Sequence, residues 1–320
     1  MEQIMTPSAN SDMVFPHWND KHGAVWGHQP VKLDHALHRL PLFTFEALAD
    51  LIDHYPREHY SLIHMGGRGG RRFWREGDIA GMKGAEVIDW IRNGRMWLNL
   101  RNVNAVDRRY GALLDAAYQE VALRAPGAPM FDTKMGILIS SPLAQVYYHA
   151  DLPGQALWQI HGKKRLYVYP RSAPFLRPED LENIALFGVE VDMPYHDWYD
   201  EFAQVFDLDA GDMAHWPLNA PHRVENLDCL NVSVTTEHWT RDIVRRHKVN
   251  VANGLLRTAI GHTPRSRAIT GPGYWTKAAM QAVMRRTRWI SRQRAQRREI
   301  AFRLDPQTRG GIIELGTPAE

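Results

Sequence analysis

The stretch Leu143-Ala144-Gln145-Val146-Tyr147-Tyr148-His149-Ala150-Asp151-Leu152-Pro153-Gly154 decides how this chain is read. Its first six residues suit a strand, and Leu152-Pro153-Gly154 breaks the chain as a turn does. A strand turns residues i and i+2 to one face, so His149 and Asp151 can aim at a common point. His222 follows seventy-one residues after Asp151 and can complete a set of two histidines and one carboxylate. Such a set suits Fe(II) and leaves positions open on one side for further ligands. With sixteen histidines in the chain, a His-x-Asp triplet alone carries little weight; its neighbours give it more.

Working outward, residues 156–160, His161-Gly162 and residues 163–170 read as strand, tight turn and strand. Further on, residues 206–212 lead to 213–217 and 220–226, and a last strand follows at 230–236. Short strands punctuated by Gly, Pro and Asp predict a mainly β chain with flanking helices. Its core is expected to be a double-stranded β-helix, the jelly roll of cupins, with the ligands in the barrel mouth. Before this core, Phe45, Leu48, Leu51 and Ile52 fall on one helical face, with Thr44 as the cap. Residues 79–93 and 108–123 read as amphipathic helices, and 96–100 alternates like a strand.

Residues 131–239 resemble the JmjC-type, cupin-like family of Fe(II)/2-oxoglutarate-dependent oxygenases. The resemblance is carried by His149-Ala150-Asp151, Gln159-Ile160-His161-Gly162-Lys163-Lys164-Arg165, Gly211-Asp212, Pro217 and His222-Arg223-Val224-Glu225-Asn226. Pro41-Leu42-Phe43 through Arg57-Glu58-His59-Tyr60 is similar to the N-terminal region of bacterial cupin-like proteins. The resemblance implies Fe(II) held by His149, Asp151 and His222, with 2-oxoglutarate as cosubstrate. The far carboxylate of 2-oxoglutarate needs a cation inside the barrel. Many relatives outside the JmjC group place an Arg on the final strand, but residues 230–236 contain neither Arg nor Lys. JmjC-type hydroxylases use a Lys on the strand after the His-x-Asp turn. Lys164, fifteen residues beyond His149, matches the spacing of the asparaginyl-hydroxylase branch. Lys163 and Lys164 must point to opposite faces of a strand, so one of them serves, and Lys164 is the choice. Gln155 and Tyr147 are expected cosubstrate contacts. Val146 stands where close relatives carry Thr, which removes one hydroxyl from that pocket. The implied reaction is hydroxylation of a protein or peptide side chain or of a small metabolite.

Other histidines invite blander readings. His161 is expected as an exposed turn residue, and His215 and Trp216 as packing residues. His17, His22, His28, His35 and His38 crowd the N-terminal stretch without a cysteine to support a zinc site, so they are expected on the surface.

At 320 residues and 44% hydrophobic content, the chain can bury a sizeable core. Three regions are expected: 1–125, packing on the barrel; 126–240, the cupin core; and 241–320, an Arg-rich helical region. One cysteine, Cys229, excludes an internal disulfide and is read as packing. Neither a leader nor a long apolar run is seen, so a cytoplasmic protein without membrane association is expected. The basic loop Gly66-Gly67-Arg68-Gly69-Gly70-Arg71-Arg72 lacks the Lys-Ser/Thr ending of a phosphate-binding loop. Arg-rich segments at 284–289 and 292–298 account for much of the net charge of +3. They are read as a solvated helix face rather than a nucleic-acid site, and the resemblance implies a homodimer through C-terminal helices. Two rival functions remain: a non-catalytic cupin sensor of a small ligand, and a Zn or Mn cupin isomerase or hydrolase.

Overall fold

The computed structural model of the chain describes residues 13–65, 74–125, 127, 129–188, 193–287, 300–308 and 310–315. The basic loop at 66–72 and most of the Arg-rich run, at 288–298, lie outside the described residues.

The strands are β1 (Val31–Asp34), β2 (Tyr60–Met65), β3 (Trp74–Asp78), β4 (Met96–Leu100), β5 (Phe131–Ser140), β6 (Gln145–His149) and β7 (Gly154–His161). They continue with β8 (Lys164–Val168), β9 (Gln204–Leu208), β10 (Asp212–His215), β11 (His222–Asn226), β12 (Asn231–Trp239), β13 (Ile300–Leu304) and β14 (Ile312–Glu314). The helices are α1 (Asp20–Val25), α2 (Phe45–Asp53), α3 (Gly84–Asn93), α4 (Val103–Val106), α5 (Arg108–Arg124), α6 (Pro178–Phe187), α7 (Arg241–Ile260) and α8 (Pro272–Arg286). Helices and strands contribute comparably, so the chain is mixed α/β rather than mainly β. The difference arises because flanking segments supply long helices of their own, α5 and α7 above all.

One sheet has ten strands in the order β1-β10-β7-β12-β5-β4-β2-β3-β13-β14, and a second has four, β6-β11-β8-β9. Leu157 and Ala214 of the large sheet share one apolar cluster with Leu166, Val168, Leu208 and Val224 of the small one. The sheets therefore face each other across this core. On the other face of the large sheet, Ile137, Ile139, Val232 and Val234 join Leu48 and Ile52 of α2 and Tyr110, Leu114, Ala117 and Val121 of α5. The α5 residues recur every three or four positions, which puts them on one helical face. Each fully buried aliphatic side chain of this kind contributes roughly 1.5–3 kcal/mol.

Local signals explain the element ends. Thr44 Oγ1 accepts from Ala47 N (3.2 Å) and caps α2, and Asp107 Oδ1 accepts from Arg109 N (2.8 Å) at the start of α5. The third helix begins at Gly84, five residues later than 79, because Ile79 to Met82 form a turn that buries both of those side chains. Gly162, at φ +78°, makes the β7–β8 turn, and a Cβ there would lie 2.4 Å from Leu230 O.

The flanking regions also add strands to the large sheet. β1 extends one edge of the large sheet beside β10, while β4, β2 and β3 extend the other beside β5. The C-terminal region is helical through α7 and α8, then returns two strands, with β13 parallel to β3. Among the described residues, no helix is long and apolar enough to cross a membrane.

Candidate metal centre

Three side chains converge at one end of the space between the sheets. His149 closes β6 and His222 opens β11, and the two residues are register partners on adjacent antiparallel strands. Asp151 follows in the turn after β6, where Asn219 Nδ2 donates to its backbone carbonyl at 2.5 Å. His222 Nε2 is 3.2 Å and His149 Nε2 3.9 Å from Asp151 Oδ2, and one donor atom from each residue lies within 4.8 Å of the others. Among the described residues this is the one group of three or more His, Cys, Asp or Glu that can hold a metal ion.

The imidazoles are fixed in a ligating state. His149 Nδ1 donates to Tyr147 O (2.6 Å) and His222 Nδ1 to Ala220 O (3.0 Å). A carbonyl can only accept, so each Nδ1 carries a proton and Nε2 faces Asp151, where a bound metal would take the place of the Nε2 proton. Burial opposes ionisation of Asp151, but the hydrogen bond from His222 and the charge of both histidines outweigh it and hold its carboxyl below the usual range. Two neutral nitrogens and a carboxylate oxygen fit a divalent first-row metal. The Trp216 ring lies 4.5 Å from that of His222, so it packs against a ligand as well as the core.

The paired lysines behave differently. Lys163 is exposed and pairs with Asp209 at 2.8 Å. Lys164 is 2% exposed, on the same face of β8 as Leu166 and Val168, and Val168 is the register partner of His222. Burial brings its ammonium down to about 7, and it forms no ion pair among the described residues. Gln155 lines a cavity that includes Asp151 and pairs across the sheet with Glu237. Tyr147 packs near Ile63, Trp97 and Leu138, and Val146 lies in the core between the sheets.

Several expectations change. His161 is not an exposed turn residue: it donates Nε2–H to Phe43 O (2.7 Å) and stacks on Phe45, because the N-terminal segment covers that turn. His35 is buried rather than on the surface, donating Nε2–H to Gln159 O (3.1 Å), and burial lowers it to about 4. His215 is a packing residue, stacked at 3.8 Å on Trp26, and burial lowers it to about 3. Cys229 is half-buried, and its Sγ accepts from Lys163 N (3.3 Å).

Sequence reasoning overlooks the cavity beside Asp151, of about 460 Å³. Asn99, Lys134, Gly136, Thr235, Glu237 and Trp239 are among its lining residues. The signal was alternation: Ser233, Thr235, Glu237 and Trp239 share the inner face of β12, which runs three residues past the expected end at Thr236.

No protein-family model and no curated protein sequence matches the chain. Solved structures do. The X-ray structure of Escherichia coli YcfD aligns over 90% of this chain and 75% of its own, at 15% identity and a TM-score of 0.50. A structure of YcfD described as a ribosomal oxygenase, in complex with cobalt and 2-oxoglutarate, aligns over 87% of this chain and 70% of its own, at 16% identity and a TM-score of 0.46. At such identities the likeness is one of fold alone, and it is consistent with the JmjC-type, cupin-like resemblance of the sequence.

Proposed function

We propose that this protein is an Fe(II)- and 2-oxoglutarate-dependent oxygenase, a hydroxylase of a protein or peptide side chain or of a small metabolite. The facing sheets, with β5 to β12 at their centre, are read as a double-stranded β-helix carrying the site at its mouth. The observation that carries the reading is the facial set itself: His149, Asp151 and His222 gathered within 4.8 Å, with both imidazoles locked by backbone carbonyls.

Each residue then has a role. His149 and His222 offer Nε2 and Asp151 a carboxylate oxygen to the metal. Iron, with 2-oxoglutarate and dioxygen, supplies the oxidation of a C–H bond, with succinate and CO2 as co-products. Lys164, buried and without an ion pair among the described residues, supports the cosubstrate reading, since its ammonium form can pair with the far carboxylate of 2-oxoglutarate. Gln155 and Tyr147 are proposed to bound the cosubstrate and substrate space. The chain's contribution is to orient the target carbon and to keep water from the reacting centre.

Equilibrium dialysis against Fe(II) under anaerobic conditions tests the ligand set. Wild-type protein is expected to take up one iron per chain and Asp151→Ala to lose most of it while staying folded. Undiminished iron in folded Asp151→Ala would overturn the assignment.

A further inference from the structure

Cys229 is the single cysteine of the chain, and the metal set does not use it. It lies in the loop between β11 and β12, and this loop folds over the start of β8. Leu227 N donates to Lys163 O (3.0 Å), and Lys163 N donates to Cys229 Sγ (3.3 Å). Asn231 Nδ2 donates to the same sulfur at 3.6 Å and to the Cys229 carbonyl at 2.8 Å. Asn231 is fully buried, and its own Oδ1 accepts from Gln159 Nε2 (2.7 Å). Two donors thus hold the sulfur in place, while the residue stays half-buried and within reach of a small oxidant.

A second feature meets it there. Lys164 directly follows the residue whose N–H donates to Sγ, and its side chain is 2% exposed. It forms no ion pair among the described residues, and Cys229 is the neighbour whose charge acts on its ammonium. A buried ammonium without a counter-ion is costly, so an anion formed at Cys229 is drawn to it. Peroxide forms one in two steps. The thiol first takes one oxygen from hydrogen peroxide, giving a sulfenic acid and water. The sulfenic acid takes an oxygen from a second peroxide, giving a sulfinic acid and water. Each step removes two electrons from sulfur and breaks one O–O bond. Loss of the acid proton to solvent leaves a sulfinate, whose oxygens accept from an ammonium as a carboxylate does.

We propose that Cys229 is an oxidation site whose sulfinate takes the Lys164 ammonium as its counter-ion and so denies it to the far carboxylate of the cosubstrate. The effect on the cosubstrate rests on the oxygenase reading; the pairing of the sulfinate with Lys164 does not.

The test begins with the full chain, treated metal-free with hydrogen peroxide, freed of it and then loaded with Fe(II) without oxygen. Peptide mass mapping is expected to find two added oxygen atoms on Cys229. In calorimetric titration, 2-oxoglutarate is expected to bind the oxidised protein roughly tenfold or more weakly than the reduced protein, with iron uptake unchanged. Cys229→Ser treated in the same way is expected to keep its affinity. A cycle of Cys229→Asp and Lys164→Met, followed by denaturant unfolding, reads the pairing without iron or cosubstrate. Cys229→Asp is expected to lower the folding constant roughly tenfold less beside Lys164 than in the Lys164→Met background. A Cys229 that gains no oxygen, or an equal cost of Cys229→Asp in both backgrounds, would overturn the proposal. Undiminished 2-oxoglutarate affinity in protein oxidised at Cys229 would overturn it too, and leave the oxygenase reading standing. Reduced, iron-loaded protein that binds no 2-oxoglutarate yet shows the coupling would sink the oxygenase reading and leave the pairing standing.

Discussion

In the proposed reading, Lys164 is the residue on which cosubstrate recognition turns. It is buried between the sheets and forms no ion pair among the described residues, whereas Lys163 beside it is exposed and bound to Asp209. A charge-assisted contact with 2-oxoglutarate contributes about 1.5–3 kcal/mol, or roughly 10- to 150-fold in affinity. Lys164→Ala is therefore expected to raise the concentration of 2-oxoglutarate needed for half-saturation by that factor, and Lys163→Ala to leave it within about twofold. The opposite order in a cosubstrate titration would exclude Lys164 as the counter-ion. Strand alternation made legible only that the two lysines part to opposite faces; the choice of Lys164 rested on its spacing from His149, which the family resemblance supplies. Glu237 was harder to see, because an acidic residue near the end of a Thr-rich strand reads as its solvent-facing terminus. Only the pairing of β12 with both β5 and β7 places that residue in a cavity.

At the scale of elements, the parts nearest the site were the most legible. β6, β7 and β8 announce themselves as short apolar runs set off by turns at Leu152-Pro153-Gly154 and His161-Gly162. Gly162 is required by both its positive φ and its proximity to Leu230 O. Gly162→Ala is expected to destabilise the protein by about 1–3 kcal/mol, measurable by denaturant unfolding, and no change would mean the turn can re-form. β5 was missed for a physical reason. Its outer residues Met135, Ile137 and Ile139 pack into the core, but its inner ones include Lys134 and Gly136, which line the cavity, so the sequence does not alternate cleanly. His35 and His161 were misread because their partners, Gln159 O and Phe43 O, come from distant segments that a local reading cannot bring together.

Across the whole molecule, the N- and C-terminal regions complete the large sheet. Phe302 of β13 is fully buried in the main core and packs against Gly77, where a Cβ would lie 2.3 Å from its ring. Phe302→Ala is expected to cost about 3–5 kcal/mol in denaturant unfolding, and a loss below 1 kcal/mol would mean that β13 adds little to the fold. Three buried histidines set the response to acid. Burial lowers His35 and His238 to about 4 and His215 to about 3. Neutral in the folded state, they favour folding fully above the unfolded value near 6.5 and lose that contribution as pH falls towards 4 and below. The melting temperature is expected to fall across this window, and His215→Phe to flatten the fall; a melting temperature constant from pH 7 to 4 would contradict it.

The most direct test of the oxygenase reading is an anaerobic titration of Fe(II)-loaded protein with 2-oxoglutarate, followed by visible absorption. A weak metal-to-ligand charge-transfer band that saturates with 2-oxoglutarate, and that is absent in His149→Ala, is expected. A folded, iron-loaded protein in which no such band develops would contradict it.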